Sequence, residues 1–242
     1  VKEAENDEEV HVIILDGAGD SFCSGYDLKD FAQNEGQNKF SQPMPWDPMR
    51  DYKAMKSNTD NFFRLWRCYK PTICKIHGHA IAGGSDIALS CDIILMSENA
   101  KIGYPPARLW GCPTPAMWVY RLGPQLAKLL LFTGDLITGT LAAKYGLALE
   151  AVAPNLLEKR TQELALRIAG VPNNQLMMQK LMINQIFDTM GVENTQLLAT
   201  VFDGITRHTP EGIWFKNLAV EQGFKAAVRK RDSGDLLGPG AS

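Results

Sequence analysis

Short unbroken apolar runs, separated by glycine and proline, dominate the first part of the chain; after Asn155 apolar positions recur with helical spacing instead. His11-Val-Ile-Ile-Leu-Asp16 is continuous and rich in β-branched residues, so it reads as a strand covered on both faces. Pro71–His77, Asp92–Ser97, a short Lys101–Tyr104 and Leu147–Ala153 have the same character. Between them the spacing predicts a helix over Asp47–Tyr69, with apolar residues at Met49, Tyr52, Met55, Phe62, Phe63, Leu65 and Trp66. A second helix, around Ser85–Ser90, follows a glycine-rich turn at Gly78–Gly84. Asp27 is placed to cap a short helix over Leu28–Gln33. Asn34–Asp47 is polar and carries Gly36, Pro43 and Pro45, so it reads as a long loop of the kind that often holds function. Beyond Asn155 the helical segments are Leu156–Ala169, Asn173–Met190, Thr195–Arg207 and Pro210–Arg231, with Ser233–Ser242 as a frayed end.

Strands that alternate with helices require right-handed crossovers and a largely parallel sheet. The pattern therefore predicts an α/β core over residues 1–154 and a helical region over residues 155–242. From Asn173 onward, Leu176, Met177, Leu181, Ile183, Ile186, Phe187, Leu197, Leu198 and Phe202 exceed what one helical layer can bury. Subunit association through this region is the expected consequence.

Composition narrows the function. Of 242 residues, 45% are hydrophobic, enough for a substantial core. Lys and Arg total 25 against 27 Asp and Glu, a net charge of -2. Nonspecific nucleic-acid binding is excluded, because it needs a basic surface to displace phosphate counterions. No apolar run reaches the roughly 18–20 residues that span a bilayer, and the acidic opening Val1–Val10 does not read as a leader. A cytoplasmic protein is expected. Five cysteines, at 23, 68, 74, 91 and 112, are irregularly spaced without a Cys-x-x-Cys pair, which reads as reduced thiols rather than disulfides or a zinc site.

The richest segment is His77-Gly-His-Ala-Ile-Ala-Gly-Gly-Ser-Asp86, between a strand and a helix. Such a turn gathers backbone N–H groups at the positive end of a helix dipole, where an anion or developing oxyanion is stabilised. A tight turn without chemistry has the same local pattern. A dinucleotide fingerprint would need glycine where Ala80 stands, and a nucleophile elbow would need glycine where Ile87 stands. His77 and His79 form a His-x-His pair without a third metal ligand of evident position, so backbone-bonded histidines are the plainer reading. Asp86 fits either a carboxylate favoured by the helix start or a general acid/base beside the turn.

Several motifs now stand in a common order. They are Phe22-Cys-Ser-Gly-Tyr-Asp-Leu28, Gly78-His-Ala-Ile-Ala-Gly-Gly-Ser-Asp-Ile-Ala88 and Cys91-Asp-Ile-Ile94, then Arg121-Leu-Gly123 and Leu131-Phe-Thr-Gly-Asp135. Ala142-Ala-Lys-Tyr-Gly-Leu147 and Pro210-Glu-Gly-Ile-Trp-Phe215 complete the series. Together they resemble the crotonase (enoyl-CoA hydratase/isomerase) superfamily over nearly the whole chain. The resemblance implies an α/β fold, a spiral of ββα units with a helical C-terminal region that builds homotrimers, often paired as hexamers. It also implies an acyl-CoA thioester substrate, with no metal or redox cofactor because coenzyme A is part of the substrate. By motif matching, the backbone N–H groups of Tyr26 and Gly83 would form the oxyanion hole. Tyr26, Asp27, Leu28 and Lys29 would line the pantetheine and acyl site, and Phe224 and Lys225 would approach the adenine and phosphates of CoA.

The chain also departs from the family pattern. The first of the hydratases' two catalytic glutamates falls on Asp86, a carboxylate one methylene shorter. The second falls on Pro106, in a loop one residue longer than usual that contains no acid, Gly103–Gly111. Proline cannot transfer protons, so the resemblance implies a departure from the two-carboxylate mechanism. Family chains also carry a strand-and-helix unit before the segment matching Val1. Hydration of a 2-enoyl-CoA is the leading expectation. Isomerisation, thioester hydrolysis, decarboxylation and non-catalytic acyl-CoA binding are the alternatives.

Overall fold

The computed structural model describes residues 1–27, 42 and 44–239. The helix expected over Leu28–Gln33 and the candidate residues Leu28 and Lys29 lie outside these, as does most of the Asn34–Asp47 segment. Strands β1 (Ile13–Asp16), β2 (Thr72–Ile76), β4 (Ile93–Ser97) and β7 (Glu150–Val152) form a four-stranded sheet in the order β1-β2-β4-β7. All of its pairings are parallel, with Cys74 opposite both Leu15 and Ile94. A second sheet joins β3 (His79–Ile81) in parallel to β5 (Lys101–Gly103), and β5 antiparallel to β6 (Ile137–Thr138).

The helices of the described residues are α1 (Lys2–Asn6), α2 (Pro48–Arg67), α3 (Gly83–Leu89), α4 (Met117–Thr133) and α5 (Gly139–Lys144). They continue as α6 (Leu157–Ala169), α7 (Asn173–Thr189), α8 (Val192–His208), α9 (Pro210–Gln222) and α10 (Phe224–Asp232). Helix α2 starts where its sequence says it should. The Asp47 side chain accepts from Met49 N and Arg50 N at 3.0 and 3.1 Å, and Pro48 occupies the first turn, where no N–H is missed.

The alternation of side chains along a strand divides the core in two. Cys74, Ile76, Ile94 and Met96 face a large cluster built with Phe63, Trp66, Leu89, Met117 and Trp118. Ile73 and Leu95 point the other way, against Leu157 and Ala165 of α6. The helical C-terminal part thus covers the second face of the sheet. Among the described residues no helix is long and apolar enough to cross a membrane.

Several sequence expectations need correction. The His11–Asp16 run is an edge strand and only partly buried, because the fully covered positions belong to the central strands β2 and β4. The glycine-rich turn Gly78–Gly84 contains β3, and α3 begins at Gly83 rather than Ser85. The single helix expected over Pro210–Arg231 breaks at Gly223, where φ is 85°. Helix α4 occupies a stretch where the sequence predicts no helix; it is kinked at Gly123 (φ 72°) beside Pro124, residues that read as a break in the sequence.

Candidate active site

The site is built around the β3–α3 turn. Phe22 and Cys23 lie alongside β3 and clasp it through their backbone. Phe22 N donates to His77 O at 3.0 Å, Cys23 N to His79 O at 2.9 Å, and Ile81 N to Cys23 O at 2.9 Å. The clasp sets Gly25-Tyr26 against Ala82-Gly83. A Cβ on Gly25 would stand 3.3 Å from Gly83 N, and one on Gly84 would stand 2.3 Å from Cys23 O. Glycine at 84 is therefore a packing requirement. Ala82 has φ 53° and ψ -122°, a conformation an alanine rarely adopts; such strain collects at functional turns. The first bond of α3 is Asp86 N to Ala82 O at 3.1 Å, so the amides of Gly83, Gly84 and Ser85 have no partner within the helix.

One cleft, enclosing about 660 Å³ of empty space with its open mouth included, is lined by Tyr26, Gly83 and Asp86 together. Tyr104, Pro106, Trp110, Asp203 and Arg207 complete much of its wall. The structure thus gathers three of the sequence-derived candidates. Asp27 is exposed and does not line the cleft, and neither do Phe224 and Lys225. The Phe224 ring packs instead on Phe215 and Trp110, with centroids 5.9 and 6.2 Å away.

Asp86 is only 3% exposed. No described residue donates a hydrogen bond to its carboxyl, and burial followed by the nearby charge of Asp203 raises its pKa well above the ordinary carboxylate range. Tyr26 receives a hydrogen bond on its hydroxyl from Asn58 Nδ2 at 3.3 Å, and burial, then Asp86, holds that hydroxyl neutral. Tyr104 Oη donates to Cys112 O at 3.0 Å. Burial, with Asp203 next, pushes the Cys112 thiol up to about 12, so no thiolate nucleophile is available there.

Pro106 sits on the cleft wall in the short 3-10 turn Pro105–Arg108, so the position matched to a second glutamate carries no proton donor. A different acid faces the cleft. Asp203 of α8 accepts from Cys112 N at 3.0 Å and pairs with Arg207 Nη2 at 3.2 Å. The same Nη2 reaches both carboxylate oxygens of Asp51 on α2, at 3.0 and 2.8 Å. Gly204 makes this approach possible, since a Cβ there would fall 2.2 Å from Asp51 Oδ2. Sequence reasoning passed over Asp203 and Arg207; their only signal was an acid and a base one helical turn apart. His77 Nε2 lies 2.8 Å from Gly19 O and His79 Nδ1 lies 3.3 Å from Ser21 Oγ, contacts that tie down the strand-flanking loop.

Residues 1–215 match the family model described as enoyl-CoA hydratase/isomerase. The chain belongs to this family. A crystal structure of an enoyl-CoA hydratase from Mycobacterium smegmatis superposes with a TM-score of 0.89 at 49% identity, over 96% of this chain and 81% of that one. The short-chain-enoyl-CoA hydratase of Clostridium acetobutylicum is 32% identical over 189 residues, 76% of this chain and 68% of that protein. The (E)-benzylidenesuccinyl-CoA hydratase of Thauera aromatica is 28% identical over 234 residues, 93% of this chain and 81% of that protein. The parallel sheet and the C-terminal helices are those of the crotonase fold.

Proposed function

We propose that this family member is an enoyl-CoA hydratase that adds water across the Cα–Cβ double bond of a 2-enoyl-CoA to give the 3-hydroxyacyl-CoA. The observation that carries the reading is Asp86, a buried carboxyl with no cation or donor among the described residues, on the same cleft as Gly83 and Tyr26. In the proposed reaction the thioester oxygen receives hydrogen bonds from the Tyr26 and Gly83 backbone N–H groups. Conjugate attack of water on Cβ moves the π electrons onto that oxygen, and two preorganised donors stabilise the resulting enolate. Asp86 moves a proton between the reacting water and Cα, or holds the water in line. No metal or redox group is required for these steps, since the thioester itself supplies the electron sink.

The substrate assignments follow the family pattern. Tyr26, Asp27, Leu28, Lys29 and Gly83 would contact the pantetheine and acyl portions, and Phe224 and Lys225 the nucleotide end of CoA. A homotrimer or hexamer in the cytoplasm, with residues 1–154 as the acyl-CoA-binding core and residues 155–242 as the oligomerisation region, completes the proposal. Pro106 favours a one-carboxylate reaction, such as double-bond isomerisation, as the second reading.

Mass spectrometry of products from a panel of acyl-CoAs tests both. Gain of one water by a 2-enoyl-CoA is the expected result. A shifted double bond selects the second reading. A free acid, loss of carbon dioxide or no turnover across the panel overturns the hydratase proposal.

A further inference from the structure

We propose that Asp203 supplies the second proton-handling carboxylate of this site, from the C-terminal helix α8, in place of the acid absent at Pro106. The inference rests on the hydratase reading above. Its basis is geometric: Asp203 and Asp86 are both buried, both line one cleft, and reach it from different helices, α8 and α3. Their surroundings differ in kind. Asp203 accepts a hydrogen bond from Cys112 N at 3.0 Å and lies 3.2 Å from the Arg207 guanidinium, so its charged form has partners. Asp86 has no such partner among the described residues. Arg207 is itself steadied by Asp51, which does not line the cleft.

Three carboxyls and one guanidinium therefore stand in a single desolvated cluster, which favours retention of a proton. Burial raises the proton affinity of both carboxyls, but Arg207 and the Cys112 amide counter it at Asp203 and nothing among the described residues counters it at Asp86, so the proton settles on Asp86 and Asp203 is the one that ionises first. Paired carboxyls whose environments separate their proton affinities divide into an acid and a base. In hydration, Asp203 takes a proton from water as the water oxygen bonds to Cβ. The π electrons pass to the thioester oxygen and return to form the Cα–H bond with the proton of Asp86. Asp203 is left protonated and Asp86 ionised; transfer of one proton between them through solvent restores the starting state. Water is the only co-reactant.

The experiment compares kcat, KM and pH profiles of wild type, Asp203→Asn and Asp51→Asn on an enoyl-CoA that the wild type hydrates, with folding checked by circular dichroism. The groups facing Asp203 are Asp86 on α3, Tyr26 before β2, Tyr104 and Cys112 between β5 and α4, Arg207 on its own helix, and Asp51 on α2. The two tyrosines and the cysteine stay neutral through the acid range, because burial raises all three. A base that must be ionised produces an acid-side fall in kcat. The expected result for Asp203→Asn is a loss of at least about 10²-fold in kcat with KM little changed, together with disappearance of that acid-side fall. Asp51→Asn, which disturbs Arg207 without removing a cleft carboxyl, should shift the fall and retain it. Turnover of Asp203→Asn within about threefold of wild type, or an unchanged acid limb, overturns the proposal. So does an equal loss of the limb in Asp51→Asn, which would make Asp203 only a support for Arg207. If Asp203→Asn does not fold, the wild-type profile decides alone: an acid side that is flat down to the pH where the protein unfolds overturns the assignment. Absence of hydration by the wild type would instead defeat the hydratase reading itself.

Discussion

A buried carboxyl with no cation or donor among the described residues holds its proton more tightly than one in solvent, and Asp86 is in that position. Its titration therefore has a sign. The folded-state pKa is raised, so the associated stability is fully present below the unfolded carboxyl value and is lost as pH rises through the folded one. Asp86→Asn removes this group while preserving its shape. The melting temperature of the variant, measured against wild type across pH, should gain steadily through that window and level off above it; a constant difference would mean Asp86 is not desolvated. Turnover provides the companion test. If Asp86 moves a proton, kcat falls by at least about 10²-fold with acyl-CoA binding little changed. If it only favours the start of α3, asparagine serves nearly as well and turnover survives. Unchanged turnover in a folded variant would remove Asp86 from the mechanism.

At the scale of elements, the clasp between the Phe22–Tyr26 segment and the start of α3 is what brings Tyr26 to Gly83. Gly84→Ala would put a Cβ 2.3 Å from the Cys23 carbonyl oxygen, a backbone atom that can yield only if the clasp opens. We expect a stability loss of about 1–3 kcal/mol from the overpacking and, because the proposed pairing of the two amides would be disrupted, a drop in kcat of about 10²-fold. Gly123→Ala is the control. Its φ of 72° and ψ of 171° lie in a region almost reserved to glycine, at a backbone cost of about 1–3 kcal/mol, but a Cβ there meets nothing within 4 Å, so turnover should hold. Denaturant melts and steady-state kinetics read both, and equal loss of activity in the two would argue against the clasp. The strands β2 and β4 and the helix α2 are legible in the sequence because a uniform apolar run and an apolar set at helical spacing each fit one kind of element and little else. The turn that opens α3 is legible too, from its glycines. Five described elements are concealed: α1, β6 and α5, each of six residues or fewer, β3, three residues long and set among glycines, and α4, whose Gly123-Pro124 step imitates a terminus. Asp203 is hidden for a different reason. The inward stripe of α8 is Val192, Gln196, Thr200, Asp203 and Arg207, while Leu197, Leu198 and Phe202 face outward. A rule that sends apolar side chains inward reads this helix inside out.

That inversion is a property of the whole molecule. Helix α7 repeats it, burying Lys180 and Asn184 while Met178, Leu181, Met182 and Ile186 remain exposed. Lys180 is fully engaged, with Asp92 at 2.7 Å and the carbonyls of Leu65 and Lys70 at 3.0 Å each, so the polar inner face is a settled arrangement. Two adjacent helices with apolar outer faces present a surface that a monomer would leave in water. The proposed self-association accounts for it, and it couples assembly to the cleft, because α8 carries Leu198 and Phe202 on one side and Asp203 on the other. The double variant Leu198→Glu/Phe202→Glu tests both links. Introducing two like charges on each copy should shift the protein to a smaller species by light scattering coupled to gel filtration. Since association stabilises the folded state by mass action, the wild type's melting temperature should rise with protein concentration while that of the variant should not. If the subunit contact also steadies α8, kcat should fall in the dissociated variant with Asp203 itself untouched. A monodisperse wild-type monomer at micromolar concentration would contradict the proposed assembly, and the exposed faces of α7 and α8 would then require a different partner.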